Sequence, residues 1–462
     1  MSLFRISKPR FLVYFLLEGG LVFAVLYGLV YLTPLLWPGL RQPSPASIVI
    51  PTGLLFSVAL LATQWSNPMD RASLVREVVI FGILSLLLGG LLCASVWLVF
   101  DGRRPLFGLV ALEGAIAVPL AVALWRWLSV RLHILNITRE RVLILGTGEL
   151  ARNVCRWIVS SHGGGHGVVG FVHEDLSLEG QVLAMGARVQ TDYASLVEFA
   201  PHRCDRLVVA LDEKRGQLPV RELMALRLLG LEIEDATSFF ERISGKIAIE
   251  AMLPSWLIFS EGFKTSALRS LVKRTMDLLH AIVLLILTSP LMLLTALLVK
   301  LTSKGPVLYR QARMGKGGTE FDVLKFRSMA VDAEDRSGPT FAKEFDPRVT
   351  MMGRLMRPTR IDELPQLFNV LRGEMSFVGP RPERRHFVRR LEEKIPYFGL
   401  RLTVRPGLTG WAQVEYRYGA TDEDSLEKLK YDLYYIKNAN LLFDLWIVVK
   451  TIKVVLLGSG AR

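Results

Sequence analysis

Cysteine is scarce in this chain. Only Cys93, Cys155 and Cys204 occur, and no two of them form a CxxC pair, so neither a disulfide framework nor a zinc site is expected. That usage suits a reducing compartment for any soluble part. Internal repeats, low-complexity tracts and Pro/Ser-rich linkers are missing as well. No Tyr-x-x-x-Lys pair follows the glycine turn at 146–148, which weakens a nucleotide-sugar oxidoreductase or epimerase reading. No recognition module for nucleic acid stands among the basic residues, which interleave with apolar ones, so no nucleic-acid partner is expected.

Basic and apolar residues dominate instead. Lys and Arg number 56 against 43 Asp and Glu, for a net charge of +13. Half of the 462 residues are hydrophobic, and the mean hydropathy is +0.35. A soluble domain is usually less apolar, so membrane segments are expected. The positive charge suits nucleic acid, anionic lipid or phosphorylated substrates.

Four apolar runs occupy 11–37, 48–65, 77–100 and 107–128, each near the ~20 residues that span a bilayer. The first is too long for a signal peptide and reads as a retained helix. Arg5, Lys8, Arg10, Arg71, Arg76, Arg126, Arg131, Arg139 and Arg141 fall on one side of the resulting bundle. Arg41, Arg103 and Arg104 fall on the other, so both ends of the bundle are expected in the cytoplasm. Glu18 and Glu113 lie within runs and mark a polar path or a helix–helix contact, or else an interfacial or paired carboxylate.

A soluble α/β stretch follows. Val142-Leu-Ile-Leu-Gly146 reads as a buried strand, and Gly146-Thr-Gly148-Glu-Leu-Ala151 then opens a helix. This is the GxGxxA form of the dinucleotide turn in its strand–turn–helix setting. Gly146 and Gly148 are its candidate nucleotide-binding residues. Strands are also expected at 168–172 and 207–211 and a helix at 217–229, with Glu174 or Asp175 placed for a ribose hydroxyl. The alternative is a Rossmann-like scaffold that keeps the turn and binds nothing.

The third region opens with Lys273-Arg274 and an apolar stretch to Lys300, interrupted by Ser289-Pro290. Basic clusters flank both ends. A helix that enters one leaflet and bends back at Ser289-Pro290 keeps both clusters cytoplasmic, whereas a crossing helix does not. Next comes Phe321-Asp-Val-Leu-Lys325-Phe-Arg327-Ser-Met329, which alternates like a strand. Its cations, with Arg313, are candidate phosphate ligands, because guanidinium clamps phosphate. Arg354, Arg357 and Arg360 recur every third residue and lead into Asp362-Glu363-Leu364-Pro365. Two acids exceed what a helix cap requires. Nearby arginines and a helix N-terminus would keep Asp362 ionised, the state a nucleophile needs. Glu363 suits Mg²⁺, a hard cation completed by substrate phosphates. Arg405, Thr409 and Trp411 are active-site or interfacial candidates. Residues 443–457 form a final apolar or amphipathic segment.

Lys325-Phe-Arg-Ser-Met329, Asp362-Glu-Leu-Pro-Gln-Leu367, Phe377-Val-Gly-Pro-Arg-Pro382 and Arg405-Pro-Gly-Leu-Thr-Gly-Trp411 stand in this order. Together they resemble the monotopic phosphoglycosyl transferases, bacterial sugar transferases that start glycan assembly on polyprenyl phosphate. The resemblance implies a membrane protein of several domains. These are a four-helix transmembrane bundle over 1–130, a Rossmann-like α/β domain over 139–260, and a mostly α, membrane-associated catalytic domain over 268–462. The re-entrant helix of the last would occupy 274–300. It implies transfer of a hexose-1-phosphate from a UDP-sugar to undecaprenyl phosphate through a phosphosugar on Asp362, with release of UMP. Glu363 then corresponds to the Mg²⁺-binding acid and Arg381 to a phosphate ligand. Lys325 and Arg357 match further basic positions, and Pro290 matches the bend. The expected place is the cytoplasmic face of the bacterial inner membrane, with a homodimer through the N-terminal part. A membrane-anchored oxidoreductase and a non-enzymatic scaffold of polysaccharide assembly are the competing readings.

Overall fold

A computed structural model describes residues 9–36, 49, 53, 105–131, 140–160, 166–213, 218–249, 266–303, 305–329, 348–416, 419 and 421–456. The chain divides into two compact units, Met1–Ser244 and Gly245–Arg462. The expected runs at 48–65 and 77–100 fall outside the described residues, apart from Val49 and Gly53.

In the first unit, α1 (Pro9–Leu36) packs on α2 (Pro105–Arg131). Each opens on proline, which suits a first turn whose N–H groups have no helical partner. Glu18 is fully buried on α1, while Glu113 is half-buried on α2.

The α/β part of this unit holds a six-stranded sheet. Its strands are β1 (Glu140–Leu145), β2 (His166–His173), β3 (Val182–Ala184), β4 (Ala187–Asp192), β5 (Arg206–Val209) and β6 (Glu232–Asp235). The order is β3-β4-β2-β1-β5-β6, parallel except for the β3 edge. Both faces are covered, which is why β1 reads as a continuous apolar run. Val142 and Ile144 point toward α3 (Glu149–Ser160) and α6 (Ala236–Ser244). Leu143 and Leu145 point toward α4 (Leu196–Arg203) and α5 (Val220–Leu228). Cys155 and Cys204 are buried free thiols in these two layers.

The second unit is built on α7 (Ala267–Thr302), capped by the Ser266 hydroxyl, which accepts from Arg269 N. Among the described residues, α7 is the one helix long and apolar enough to cross a bilayer; 17–32 and 112–125 are shorter apolar stretches. The helix runs unbroken through Pro290. Proline has no N–H for the Ile286 carbonyl, and Ser289 Oγ donates to that carbonyl at 2.9 Å instead. Near its start, Asp277 is buried and accepts from Ser376 Oγ at 2.8 Å and Phe377 N at 3.0 Å. Near its end, Val299 packs with Phe326 and Met356.

The antiparallel pair β7 (Leu308–Met314) and β8 (Glu320–Phe326) follows, with Leu308 opposite Phe326. Then come α8 (Met351–Met356), a single 3₁₀ turn at Ile361–Glu363, α9 (Gln366–Arg372) and β9 (Ser376–Val378). Gly373, at φ 84°, closes α9, and Arg274 donates to the Val370 and Leu371 carbonyls there. There follow α10 (Arg385–Lys394), a 3₁₀ helix at Phe398–Thr403, β10 (Gly407–Thr409) parallel to β9, α11 (Trp411–Glu415), α12 (Asp422–Asn438) and α13 (Leu441–Leu456).

Candidate active site

Asp362 and Glu363 lie in the 3₁₀ turn between α8 and α9, each 8% exposed. Arg360 enters this turn in the left-handed region, at φ 54°. Glu363 Oε1 accepts from Arg381 Nη2 at 2.6 Å and from Lys325 Nζ at 3.3 Å, while Arg360 Nη1 stands 4.0 Å from Oε2. Burial alone would raise the Glu363 pKa. Arg381, Lys325 and Arg360 outweigh it and hold this carboxyl well below the usual range.

Asp362 behaves in the opposite way. Burial, and then the adjacent Glu363 charge, push its pKa up to about 6, against the pull of Lys325, Arg357 and Arg381. The cations expected to keep Asp362 ionised do pull its pKa down, but burial and Glu363 outweigh them. Nor does Asp362 cap a helix: Pro365 is the N-cap of α9, without a side-chain cap bond. Two neighbouring carboxyls with pKa values driven apart, set among four cations, make a candidate site for chemistry on an anion. The pair also fits a hard divalent cation that takes its other ligands from phosphate and water. No cluster of three or more acidic, His or Cys ligands occurs among the described residues.

The family model of the bacterial sugar transferases matches residues 268–458. The chain is 44% identical, over 191 residues, to a UDP-glucose:undecaprenyl-phosphate glucose-1-phosphate transferase of Caulobacter vibrioides; the match covers 41% of this chain and 71% of that one. The chain belongs to the bacterial sugar transferase family. A UDP-N-acetylgalactosamine-undecaprenyl-phosphate N-acetylgalactosaminephosphotransferase of Aeromonas hydrophila is 46% identical over 262 residues, 56% of this chain. The match spans 61% of that relative's length, less than two thirds. A UDP-glucose:undecaprenyl-phosphate glucose-1-phosphate transferase of Xanthomonas campestris pv. campestris is 28% identical over 420 residues, 88% of this chain and 86% of that one.

Lys325 on β8, Arg357 at the end of α8, and Arg381 converge on the acids, as the sequence suggests. Arg354 does not, since it is exposed on α8, and the three-residue arginine row spans a helix, its cap and a left-handed residue rather than one helix face. Arg313 grips the Pro-Arg-Pro turn: its Nη1 donates to the Pro382 carbonyl at 3.1 Å and lies 3.4 Å from Glu383 Oε2, while Nε and Nη2 donate to Gln311. Arg327 donates to Ser303 at the end of α7 instead of reaching the acids. Arg405 is exposed. Trp411 is neither ligand nor interfacial anchor. It is 7% exposed, packs on Tyr431, Tyr434 and Phe443, and its indole donates to the Gly245 carbonyl at 2.9 Å.

Sequence reasoning missed the support behind Arg381. Arg401 Nη2 donates to the Arg381 carbonyl at 3.0 Å and to Asp432 Oδ2 at 2.9 Å. Asp432 is 2% exposed, and burial pushes its pKa up to about 6 despite Arg401. With Arg313 on the next carbonyl, both sides of the turn are held, which aims the Arg381 side chain at Glu363. A cation and an acid 31 positions apart give no local signal.

In the first unit, Gly146 takes φ 118°, and a Cβ there would stand 2.5 Å from the Ala210 carbonyl oxygen. The turn itself is filled. Asp212, just beyond β5, accepts from Glu149 N and Leu150 N, both at 3.0 Å. It thus occupies the helix N-terminus where a nucleotide phosphate would bind. A Cβ on Gly148 would collide with the same carboxylate. Asp175, expected to face a ribose, caps its own turn through Ser177 N at 2.8 Å.

Proposed function

We propose that this protein transfers a sugar phosphate from a UDP-sugar to undecaprenyl phosphate, with the reacting acid at Asp362. The supporting observation is the buried Asp362–Glu363 pair ringed by Lys325, Arg357, Arg360 and Arg381. Phosphoryl transfer is catalysed mainly by positioning and charge neutralisation, and the site supplies both. The relatives' names support the lipid acceptor and the sugar donors.

In the first step, the ionised Asp362 oxygen attacks the sugar-proximal phosphorus. A new O–P bond forms, the bridging P–O bond breaks, and UMP leaves with the electron pair. In the second, an oxygen of the lipid phosphate attacks the same phosphorus and frees the carboxylate. Arg381, Lys325 and Arg357 receive the donor phosphates, and an incoming anion competes with Glu363 for Arg381 and Lys325. Glu363 with Asp362 would hold Mg²⁺, which when bound supplies further neutralisation of the phosphate oxygens.

The lipid acceptor requires a site at the bilayer boundary. We read α7 as re-entrant, kinked at Ser289-Pro290 without a break, with both ends on the cytoplasmic side. This is supported by its two ends, since Asp277 bonds β9 and Val299 packs on Phe326 of β8 within one compact unit. A crossing helix would carry one end beyond ~30 Å of hydrocarbon. We read the first unit as further membrane helices joined to a Rossmann-like scaffold with a self-filled turn.

Incubating the protein with donor alone should add one phosphosugar mass to Asp362 and release UMP. Asp362→Asn should abolish both while the protein still inserts into membranes. Product formation without that mass, or full activity in the variant, would overturn the covalent route.

A further inference from the structure

Arg327 follows β8 and continues its ladder, donating from its backbone N–H to the Val307 carbonyl at 3.0 Å. Its side chain is 5% exposed. Nη2 donates to the Ser303 carbonyl at 2.9 Å and to Ser303 Oγ at 2.7 Å. Nε and Nη1 are shut off from solvent and donate to nothing.

A helix C-terminus favours a cation, and the Ser303 contact alone would satisfy that preference. It uses only Nη2. The other N–H groups of a permanently charged guanidinium stay buried without acceptors, which is costly unless an anion completes them.

Two features say where such an anion would come from. Arg327 is bonded to the end of a helix whose last turns expose Leu294, Leu297 and Leu301, so it stands where an apolar surface stops. Lys325, which donates to Glu363, lies two residues earlier on the same face of the strand, about 7 Å away. An anion on Arg327 would therefore sit between the lipid boundary and the reacting acid.

We propose that Arg327 binds the phosphate monoester of the lipid acceptor, at a subsite separate from the donor-phosphate cations Lys325, Arg357 and Arg381. This assignment rests on the transferase reading above and adds to it which substrate Arg327 serves.

The test uses full-length protein in lipid nanodiscs, comparing wild type, Arg327→Gln, Arg327→Lys and Ser303→Ala. UMP release from UDP-sugar alone reads the donor step, and transfer at varied polyprenyl phosphate reads the acceptor step. Arg327→Gln should raise the KM for polyprenyl phosphate at least about tenfold while donor-only UMP release stays within about twofold. Arg327→Lys should recover part of that loss, and Ser303→Ala, which keeps the cation, should stay near wild type.

An unchanged acceptor KM in Arg327→Gln would overturn the assignment. So would equal loss in Ser303→Ala, which would make Arg327 a helix cap. Millimolar inorganic phosphate should raise the acceptor KM of wild type only weakly. Full displacement of the lipid by free phosphate would mark a general anion site and also overturn it. A wild type inactive with every UDP-sugar would sink the transferase reading itself, a distinguishable failure.

Discussion

The donor step should carry an acid limb near pH 6, set by Asp362. Burial and the adjacent Glu363 raise this carboxyl to about 6, roughly two units above an ordinary aspartate. In the proposed donor step Asp362 attacks in its ionised form, so activity should fall as pH drops. With a pKa near 6, about nine-tenths of the protein is competent at pH 7 and about one-tenth at pH 5, a roughly tenfold loss. An aspartate at its ordinary value would lose almost nothing over that range. The assay must be single-turnover UMP release from UDP-sugar alone, because the proposed acceptor is a phosphate monoester whose second ionisation also lies near 6. Glu363→Gln removes the neighbouring negative charge. For carboxyls roughly 6 Å apart at an effective dielectric of ~20, that repulsion is about 3 kcal/mol, or about two units at most. The limb of its residual activity should therefore move toward pH 4 to 5. A wild-type profile flat from pH 7 to 4.5 would refute the burial argument, and a limb unmoved in Glu363→Gln would refute the coupling.

Asp432→Asn should slow UMP release about tenfold or more and lower the melting temperature, since breaking a buried ion pair costs about 3–5 kcal/mol; unchanged turnover would mean that Arg381 is aimed without it. Asp212→Ala should destabilise the first unit by about 1 kcal/mol, as for a lost helix cap, measured by thermal melting. Calorimetric titration of the wild-type protein with NAD or UDP should show no binding attributable to the glycine turn, and a site lost on Gly148→Ala would contradict the filled-turn account. A cysteine at Leu301 should be labelled from the cytoplasmic side alone, whereas periplasmic labelling would make α7 a crossing helix.

Local signals were read well from sequence. Val142–Leu145 announces a strand buried on both faces by its unbroken apolar run, and the alternation at 321–326 announces β8. The four ordered motifs were enough to suggest the family. What depends on distant partners was hidden. β6 reads Glu-Ile-Glu-Asp, an unpromising strand, but Glu232 and Glu234 are bonded by Arg206 of β5. Trp411 looks like an interfacial aromatic until Tyr431, Tyr434 and Phe443 close around it. The titration of Asp362 reflects burial created by several elements, which no seven-residue window contains. Asp212 did offer a cue, an acid directly after a strand that pairs beside β1.

The salt-bridged root of α7 bears on any attempt to make the protein more soluble by trimming that helix. Lys273 pairs with Asp444 at 2.8 Å, and Tyr435 donates to the same carboxylate, also at 2.8 Å. Cutting the chain after Thr302 would strand Asp444 without its lysine and Phe377 N without Asp277, deep inside the remaining fold. The apolar helix is thus a keystone of this unit, and solubilisation that spares it should succeed where deletion does not.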